Sequence, residues 1–349
     1  MTIEDWIRGH VSLEASTSAA LRYERMIRQA AEPLPWVHRP ADPAQPFDWV
    51  EEAGIGAFLA ALGTARRVLD IGAGDGWPAL PLARRVPEVV ALDPSPRRAA
   101  QAQDNAVRLG LRNVEVACSP AEELPFPDGS FDGAVAACAI EQSTDPARAL
   151  REAFRVLRSG GRFAATFEDL SAELRSPIEE TAELYSDGGQ AVYRLVHRSL
   201  DPLREAEYEL RFRVTPDLRS AAEEVRPVPT FRAAQAGPGL RPVAPDDPVL
   251  GIPLLAASCS ELIAARSFEL RHRSPVETIA LVAAAGFERV RAYGNITWLA
   301  RDFFGPAHRH GLLAELAPHM DGITRAFGHL YTAVPVGKTS VFFLVAGKP

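Results

Sequence analysis

The chain has 349 residues, a net charge of −7 and a pI near 5.7. This acidic balance argues against a broad nucleic-acid interface, which normally presents a basic face. No apolar run approaches the ~18 residues that a membrane span requires, and the N-terminus lacks the basic start and apolar core of a secretory signal. We therefore expect a soluble, cytoplasmic protein that contacts neither membrane nor nucleic acid.

The residues that commonly bind metals are scattered. Cys118, Cys138 and Cys259 have neither a metal-ligand spacing nor the arrangement of a disulfide framework. His308 and His310 have no neighbouring carboxylate or cysteine that would complete a ligand set. We expect no metal site.

The N-terminal region is expected to cover part of the core. Residues 12–31 can form an amphipathic helix, and five prolines between residues 33 and 46 indicate an extended linker. Residues 1–47 are therefore predicted to form a helical and proline-rich cover. Three aromatic residues follow or lie within the linker and either fold over a ligand site or pack on the core: Trp36, Phe47 and Trp49.

One short stretch indicates a strand, a loop and a helix in succession. Residues 67–71 are mostly apolar, as in a parallel strand covered on both faces. Gly72, Gly74 and Gly76 lack Cβ atoms, so the backbone can turn sharply and a ligand can approach closely. Pro78 suits the first turn of a helix.

Strands and helices alternate on both sides of this stretch, which predicts right-handed crossovers and a parallel sheet. Ligands of such sheets bind beyond the carboxyl ends of the strands. The predicted helices are 48–62, ended by Gly63, then 79–86, 96–109, 145–157 and 275–285. The predicted strands are 67–71, 88–93, 114–117, 131–137, 162–167, 206–214, 286–291 and 339–346.

The glycine spacing distinguishes two kinds of nucleotide cofactor. A dinucleotide loop has the pattern G-x-G-x-x-G, whereas this chain has G-x-G-x-G followed by Trp77. The carboxylate of Asp70 would repel a pyrophosphate but suits a ligand that carries an ammonium group. We therefore do not expect NAD or NADP to bind.

Four segments, in order, resemble motifs of class I S-adenosylmethionine-dependent methyltransferases of the small-molecule branch. They are the D-x-G-x-G-x-G run from Asp70 to Gly76, the strand that ends at Asp93, residues 121–132, and the R-V-L-x-x-G-G run that begins at Arg155. The resemblance covers about residues 67–167. It implies an α/β fold with a Rossmann-like, doubly wound, seven-stranded sheet, mostly parallel with an antiparallel last strand. It also implies S-adenosylmethionine as cofactor.

The resemblance assigns roles to several residues. Asp70 would help to hold the methionine ammonium, and Gly72 and Gly74 would admit the methionine moiety. Asp93 would accept both ribose hydroxyls, because one carboxylate can accept two hydrogen bonds. The remaining predicted cofactor-binding residues lie in the glycine loop, near adenine or at the ends of strands: Ala73, Pro94, Ala121, Glu122, Ala137 and Cys138.

Two positions depart from the family pattern. Pro120 stands where the family often has an Asp for the adenine amino group, so Glu122 or Ser119 would have to supply that contact. Glu141 and Gln142 stand where many relatives have His. Glu141 is a candidate general base; the alternative is a polar residue that anchors the next loop or touches the cofactor.

Two inserts interrupt the predicted core of residues 48–167 and 275–349. Residues 168–274 are expected to form an α+β lid, and residues 294–338 a second insert. His197 and His272 lie in the first insert and are further candidate bases. Both inserts are expected to close over the acceptor with aromatic side chains: Tyr185, Tyr193, Tyr208, Phe212, Trp298, Phe303, Phe304 and Tyr331.

These features predict an enzyme that transfers a methyl group in line to a small, apolar or aromatic metabolite, as in bacterial-like secondary metabolism. A homodimer is a further expectation. The alternative is a protein of the same fold that binds S-adenosylmethionine without methylating, either a cyclase or decarboxylase or a catalytically silent partner, since a fold and a cofactor site do not fix the chemistry.

Overall fold

The computed structural model describes residues 1–15, 39–225, 240–337 and 339–349. Three sequence predictions fall wholly or partly outside these ranges. They are most of the helix over 12–31, the start of the proline linker with Trp36, and the first part of the irregular stretch over 233–253.

The described strands are numbered along the chain. They are β1 (Glu14–Ala15), β2 (Arg67–Ile71), β3 (Glu88–Asp93), β4 (Val114–Cys118), β5 (Phe131–Ala137), β6 (Leu157–Glu168), β7 (Ile178–Asp187), β8 (Gln190–Leu200), β9 (Leu203–Arg213), β10 (Arg241–Pro242), β11 (Leu262–Arg271), β12 (Glu288–Gly294) and β13 (Val341–Gly347).

The described α-helices are numbered in the same way. They are α1 (Ile3–His10), α2 (Pro46–Leu62), α3 (Ala79–Ala83), α4 (Pro96–Arg108), α5 (Pro146–Val156), α6 (Leu170–Glu173), α7 (Pro216–Glu224), α8 (Ile252–Ser258), α9 (Pro275–Ala284), α10 (Ile296–Arg309), α11 (Leu313–Leu316) and α12 (Met320–Gly328). Within the described ranges, none of the helices is both long and apolar enough to cross a membrane.

Residues 32–173 and 273–349 form one compact unit, here called the core unit. Its sheet has seven strands among the described residues, in the order β12-β13-β6-β5-β2-β3-β4. Neighbours from β6 to β4 are parallel, and β13 runs antiparallel to both β6 and β12. The predicted doubly wound sheet with an antiparallel last strand is therefore confirmed.

Local sequence features correctly predict the bounds of β5 and the end of α2. The predicted bounds of β5 are exact, and its residues Ala134, Val135 and Ala136 are fully buried, as expected of a strand covered on both faces. Helix α2 ends at Gly63, whose φ of +65° lies in the region that favours glycine.

The insert over residues 294–338 is helical and packs on α2. Gly56 and Gly328 lie so close that a Cβ on either would overlap the other helix's backbone. Phe304 is fully buried against Trp49, with ring centroids 4.9 Å apart. Phe304 therefore belongs to a helix–helix core, and the prediction that it lines an acceptor pocket is wrong. Trp49 packs on the core, the second of the two roles considered for it.

Residues 1–31 and 174–272 form the other compact unit, here called the insert unit. Residues 1–15 thus group with the first insert and residues 39–47 with the core unit, whereas the sequence predicted one cover over residues 1–47. Its described strands pair in the order β1-β11-β9-β8-β7-β10, antiparallel except for β1 with β11. The sequence predicted only the strand over 206–214. Of the predicted helix over 12–31, residues 14–15 instead form β1.

One face of this sheet is apolar and packs under α1, α7 and α8. Tyr193, Tyr208 and Phe212 are almost completely buried there with Ile3 and Ile7 of α1. These three aromatic residues fill the unit's own core, so the prediction that they line an acceptor pocket is wrong.

The opposite face carries buried charges. Glu183, Arg194 and Glu209 are register neighbours on β7, β8 and β9. Arg194 donates to Glu183 and to Glu207, at 3.0 Å in each case. Cross-strand pairs of opposite charge support a sheet, and here each carboxylate is within a few per cent of full burial.

A polar cluster fastens α1 to the sheet. Glu180 accepts the backbone N–H groups of Ile3 and Glu4 at 2.9 Å, which satisfies two free donors of the helix N-terminus. His197 lies 3.0 Å from Glu180 through Nδ1 and 3.0 Å from Glu4 through Nε2. Glu4 also accepts hydrogen bonds from both terminal nitrogens of Arg204.

Replacement of Glu180 by Ala should loosen α1. The change leaves two backbone donors and one ring nitrogen of His197 without their buried partner, at about 1–3 kcal/mol for each group. We expect a loss of about 3 kcal/mol or more in the free energy of unfolding, together with faster amide hydrogen exchange in α1. Glu223→Ala, an exposed carboxylate on α7, should change stability by less than about 0.5 kcal/mol. Equal exchange rates in the two variants would contradict the assignment.

Candidate cofactor site

The glycine loop after β2 is fixed to the end of β3. The N–H groups of Gly72 and Ala73 both donate to the carbonyl of Leu92, at 2.8 and 2.9 Å. Gly72 has φ +77°, and a Cβ there would overlap the side chain of Ala139. Position 72 therefore requires glycine both for its backbone conformation and for the close approach of the segment after β5.

Asp70 lies beneath this loop with no exposed surface. Its Oδ2 accepts the N–H of Ala79 at 2.9 Å, whereas Oδ1 is buried and has no hydrogen-bond partner among the described residues. Burial, followed by the charge of Asp93, raises the pKa of Asp70 to about 8, and the bond from Ala79 opposes this rise. A nearby cation would favour the ionised form.

Asp93 ends β3 and holds the loop from the other side. Its Oδ2 accepts the N–H of Gly74 and its Oδ1 accepts the N–H of Ser95, both at 2.9 Å. Burial raises the pKa of Asp93, although both backbone bonds and the charge of Arg98 act in the opposite direction. Because a carboxylate has about four acceptor sites, each oxygen can accept one more hydrogen bond.

A buried ion pair that the sequence analysis missed supports the loop. Arg98 donates to Asp75 at 2.6 Å, and Asn105 donates to the carbonyl of Asp75 at 3.0 Å. The sequence alone predicts that Arg97 and Arg98 form a solvated pair on a surface helix, but Arg98 is only 6% exposed, so this prediction is wrong for Arg98. The sequence does contain a signal for this pair, because Asp75 lies inside the glycine loop and Arg98 lies in the first turn of α4.

The proposed substitutes for the absent adenine-contacting Asp both have protein partners. Glu122 accepts hydrogen bonds from Thr144 at 2.7 Å and from the backbone of Asp145 at 3.0 Å. Ser119 donates to the carbonyl of Glu123 at 2.8 Å. Glu122 therefore anchors the loop after β5. Of the other predicted adenine contacts, Pro94 is exposed and Ala121 is half-buried.

The end of β5 lies beside the glycine loop. Ala137 ends the strand, and Cys138 follows with φ +48°, an unusual conformation for a residue other than glycine. Cys138 donates its N–H to the carbonyl of Thr166 on β6 at 2.9 Å. Burial raises the pKa of the Cys138 thiol, which keeps it neutral.

Glu141 and Gln142 form the short 3₁₀ turn after this strand, and both are buried. Glu141 Oε1 accepts the N–H of Glu168 at 3.1 Å and so connects the ends of β5 and β6. The structure thus brings together Asp70, Asp93, the glycine loop and the turn over residues 138–142.

The two candidate histidine bases lie in the insert unit. Both ring nitrogens of His197 contact carboxylates of that unit. His272 follows β11, is buried, and donates its backbone N–H to the carbonyl of Leu203. No group of three or more potential metal ligands occurs within the part of the chain that the structure describes.

The buried carboxyl of Asp70 should make stability depend on pH. In the folded state Asp70 keeps its proton up to about pH 8, whereas in the unfolded chain it ionises near pH ~4. Between these values the folded state binds the additional proton, so the free energy of unfolding falls as pH rises. Without ligand, the wild type should lose up to ~1.4 kcal/mol per pH unit more than Asp70→Asn between pH 5 and 8.

Urea denaturation of the two proteins across this pH range measures the difference. Asp104→Asn, at an exposed position on α4, is the matched control and should follow the wild-type profile. Parallel profiles for wild type and Asp70→Asn would contradict a protonated Asp70.

Comparisons with known proteins bear on the core unit. Residues 69–165 match the family model of a methyltransferase domain. Over 120 residues the chain is 40% identical to 2-methyl-6-phytyl-1,4-hydroquinone methyltransferase 2, chloroplastic, of Oryza sativa subsp. japonica. This alignment covers 33% of this chain and 34% of that protein. The chain is 38% identical over 113 residues to the uncharacterized methyltransferase YcgJ of Bacillus subtilis (strain 168), which covers 32% of this chain and 45% of that protein.

Among solved structures, that of the CcbJ methyltransferase from Streptomyces caelestis is 14% identical, covers 86% of this chain and 90% of that one, and has a TM-score of 0.48. The chain spans between about a third and somewhat under half of the length of the two curated relatives. The matched family segment begins at the strand before the glycine loop and ends within β6. Residues 69–165 therefore form a methyltransferase domain of the class I S-adenosylmethionine-dependent type, whose cofactor is S-adenosylmethionine.

Proposed function

We propose that the protein transfers a methyl group from S-adenosylmethionine to a small-molecule acceptor. The observation that carries this proposal is the pair of buried carboxyls, Asp70 and Asp93, on either side of the glycine loop. The unpartnered Oδ1 of Asp70 suits the cationic methionine ammonium, and the remaining lone pairs of Asp93 suit the two ribose hydroxyls.

When bound, the cofactor supplies an electrophilic methyl group on a sulfonium. The residues of this chain mainly hold the reactants in line and exclude water. Glu141 is the candidate base for an O–H or N–H acceptor, because it lies in the turn next to the loop.

Two observations support a small acceptor. The acidic net charge of −7 disfavours nucleic acid, and the rice relative is named for a substituted hydroquinone. Three aromatic residues expected around the acceptor belong to the core of the insert unit, so an apolar or aromatic acceptor remains a prediction based on family resemblance. A cytoplasmic location and a homodimer also remain predictions.

The direct test is transfer of label to a metabolite extract. We expect incubation with methyl-labelled S-adenosylmethionine to give at least one small labelled product by mass spectrometry, and Asp93→Asn to give much less of it. Cofactor binding without any labelled product, in extracts from several sources, would contradict methyl transfer.

Replacement of Asp93 should weaken cofactor binding. Hydrogen bonds to a charged group are worth ~1.5–3 kcal/mol each, so Asp93→Ala should lower the affinity for S-adenosylhomocysteine tenfold or more in isothermal titration calorimetry, as ~1.4 kcal/mol is a factor of ten. Because Ala also removes the bonds to Gly74 and Ser95, Asp93→Asn tests the charge with less disturbance. Asp104→Ala is the matched exposed control. Unchanged affinity in folded Asp93 variants would show that the ribose assignment is wrong.

A further inference from the structure

The side-chain amide of Gln142 is buried and only half satisfied. Its Nε2 donates to the carbonyl of Cys138 at 2.6 Å. Because a carbonyl can only accept, this bond fixes which end of the amide is nitrogen. The other end, Oε1, is buried without a hydrogen-bond partner among the described residues, and the side chain belongs to a residue only 8% exposed.

The position of this oxygen follows from its neighbours. Gln142 bonds to the residue directly after β5, and the next residue, Ala139, lies in contact range of Gly72 in the glycine loop. The left-handed backbone of Cys138, at φ +48°, is a conformation that costs free energy and that is enriched at functional sites. The unpaired oxygen therefore belongs to a turn that lies against the loop.

A second unpaired oxygen occurs on the neighbouring strand. Asp70 Oδ1 lacks a partner, and Asp70 pairs in register with Val135 of β5. An unpaired buried polar atom costs about 1–3 kcal/mol, so two such oxygens at adjacent strand ends indicate a ligand group rich in hydrogen-bond donors. An ammonium carries three N–H donors and a positive charge.

We propose that Gln142 Oε1 accepts a hydrogen bond from the methionine ammonium of the cofactor, alongside Asp70. This inference rests on the proposed function only in its choice of cofactor, and it requires no methyl transfer. Gln142 is then a positioning residue: its amide holds the Cys138 carbonyl with one end and the ammonium with the other. The adenine and ribose contacts are independent of it.

A cycle of two proteins and two ligands tests the assignment. The ligands are S-adenosylhomocysteine and its desamino analogue, in which hydrogen replaces the ammonium. The variant is Gln142→Met, which has a similar length and no strong hydrogen-bond acceptor. We expect calorimetry to show about tenfold weaker binding of S-adenosylhomocysteine by the variant, with the affinity for the desamino analogue unchanged.

The coupling between the two changes is the decisive quantity. An equal loss of affinity for both ligands would indicate a general effect on the site. Unchanged affinity for both ligands would show that Gln142 Oε1 does not contact the ammonium. Either result would overturn the proposal. Gln190→Met, in the β7–β8 hairpin of the insert unit, is the matched control and should bind both ligands as the wild type does. The cycle measures binding only, so its result does not depend on whether the extract assay detects methyl transfer.

A second variant covers the case in which Gln142→Met does not fold. Gln142→Glu replaces the amide by two acceptor oxygens, so it should keep or increase the preference for S-adenosylhomocysteine over the desamino analogue. Loss of that preference in folded Gln142→Glu would overturn the proposal.

Discussion

The parallel register of β2 and β3 controls the geometry of the cofactor loop. It sets Asp70 opposite Ala91 and Ile71 opposite Leu92, so the carbonyl of Leu92 meets the first two N–H groups after β2. The next residue, Asp93, then reaches Gly74 with its carboxylate. A shift of one residue would turn every side chain of the strand to the other face and would separate all three contacts.

This arrangement places two acids in a region from which water is excluded. Burial raises the pKa of both Asp70 and Asp93, and the charge of Asp93 adds to the rise at Asp70. Arg98 lies near enough to lower the pKa of Asp93, but its own hydrogen bond goes to Asp75. The loop is thus held by a paired arginine, whereas Asp70 has no cation beside it among the described residues. A cationic ligand would supply the missing charge, which relates the electrostatics of the unbound site to the ligand it selects.

The parts predicted from the sequence depend on local chemistry. The bounds of β5, the end of α2 at Gly63, and the positions of Asp70 and Asp93 follow from apolar runs and glycines within a few residues. Arg98 was misjudged because its partner Asp75 is 23 residues away and an amphipathic helix normally exposes its arginines.

Apart from β9, the strands of the insert unit were missed for a different reason. On β8 the residues of both faces are buried, and one of those faces carries Arg194 beside carboxylates of β7 and β9. Simple alternation of apolar and polar residues is then lost, because charged side chains occupy buried positions where the pattern requires apolar ones. Only cross-strand pairing, which a single sequence does not reveal, identifies them as a sheet.

The candidate bases His197 and Glu141 are held by different contacts. His197 contacts a carboxylate with each ring nitrogen, so accepting a proton from an acceptor would require it to give up a contact that holds α1. Glu141 Oε1 accepts the backbone N–H of Glu168, and this bond orients the carboxylate. It also ties the end of β5 to the end of β6, so the carboxylate and the amide of Gln142 are held by the same turn. If the amide positions the methionine ammonium, the adjacent carboxylate is fixed relative to the bound cofactor, as in-line transfer requires.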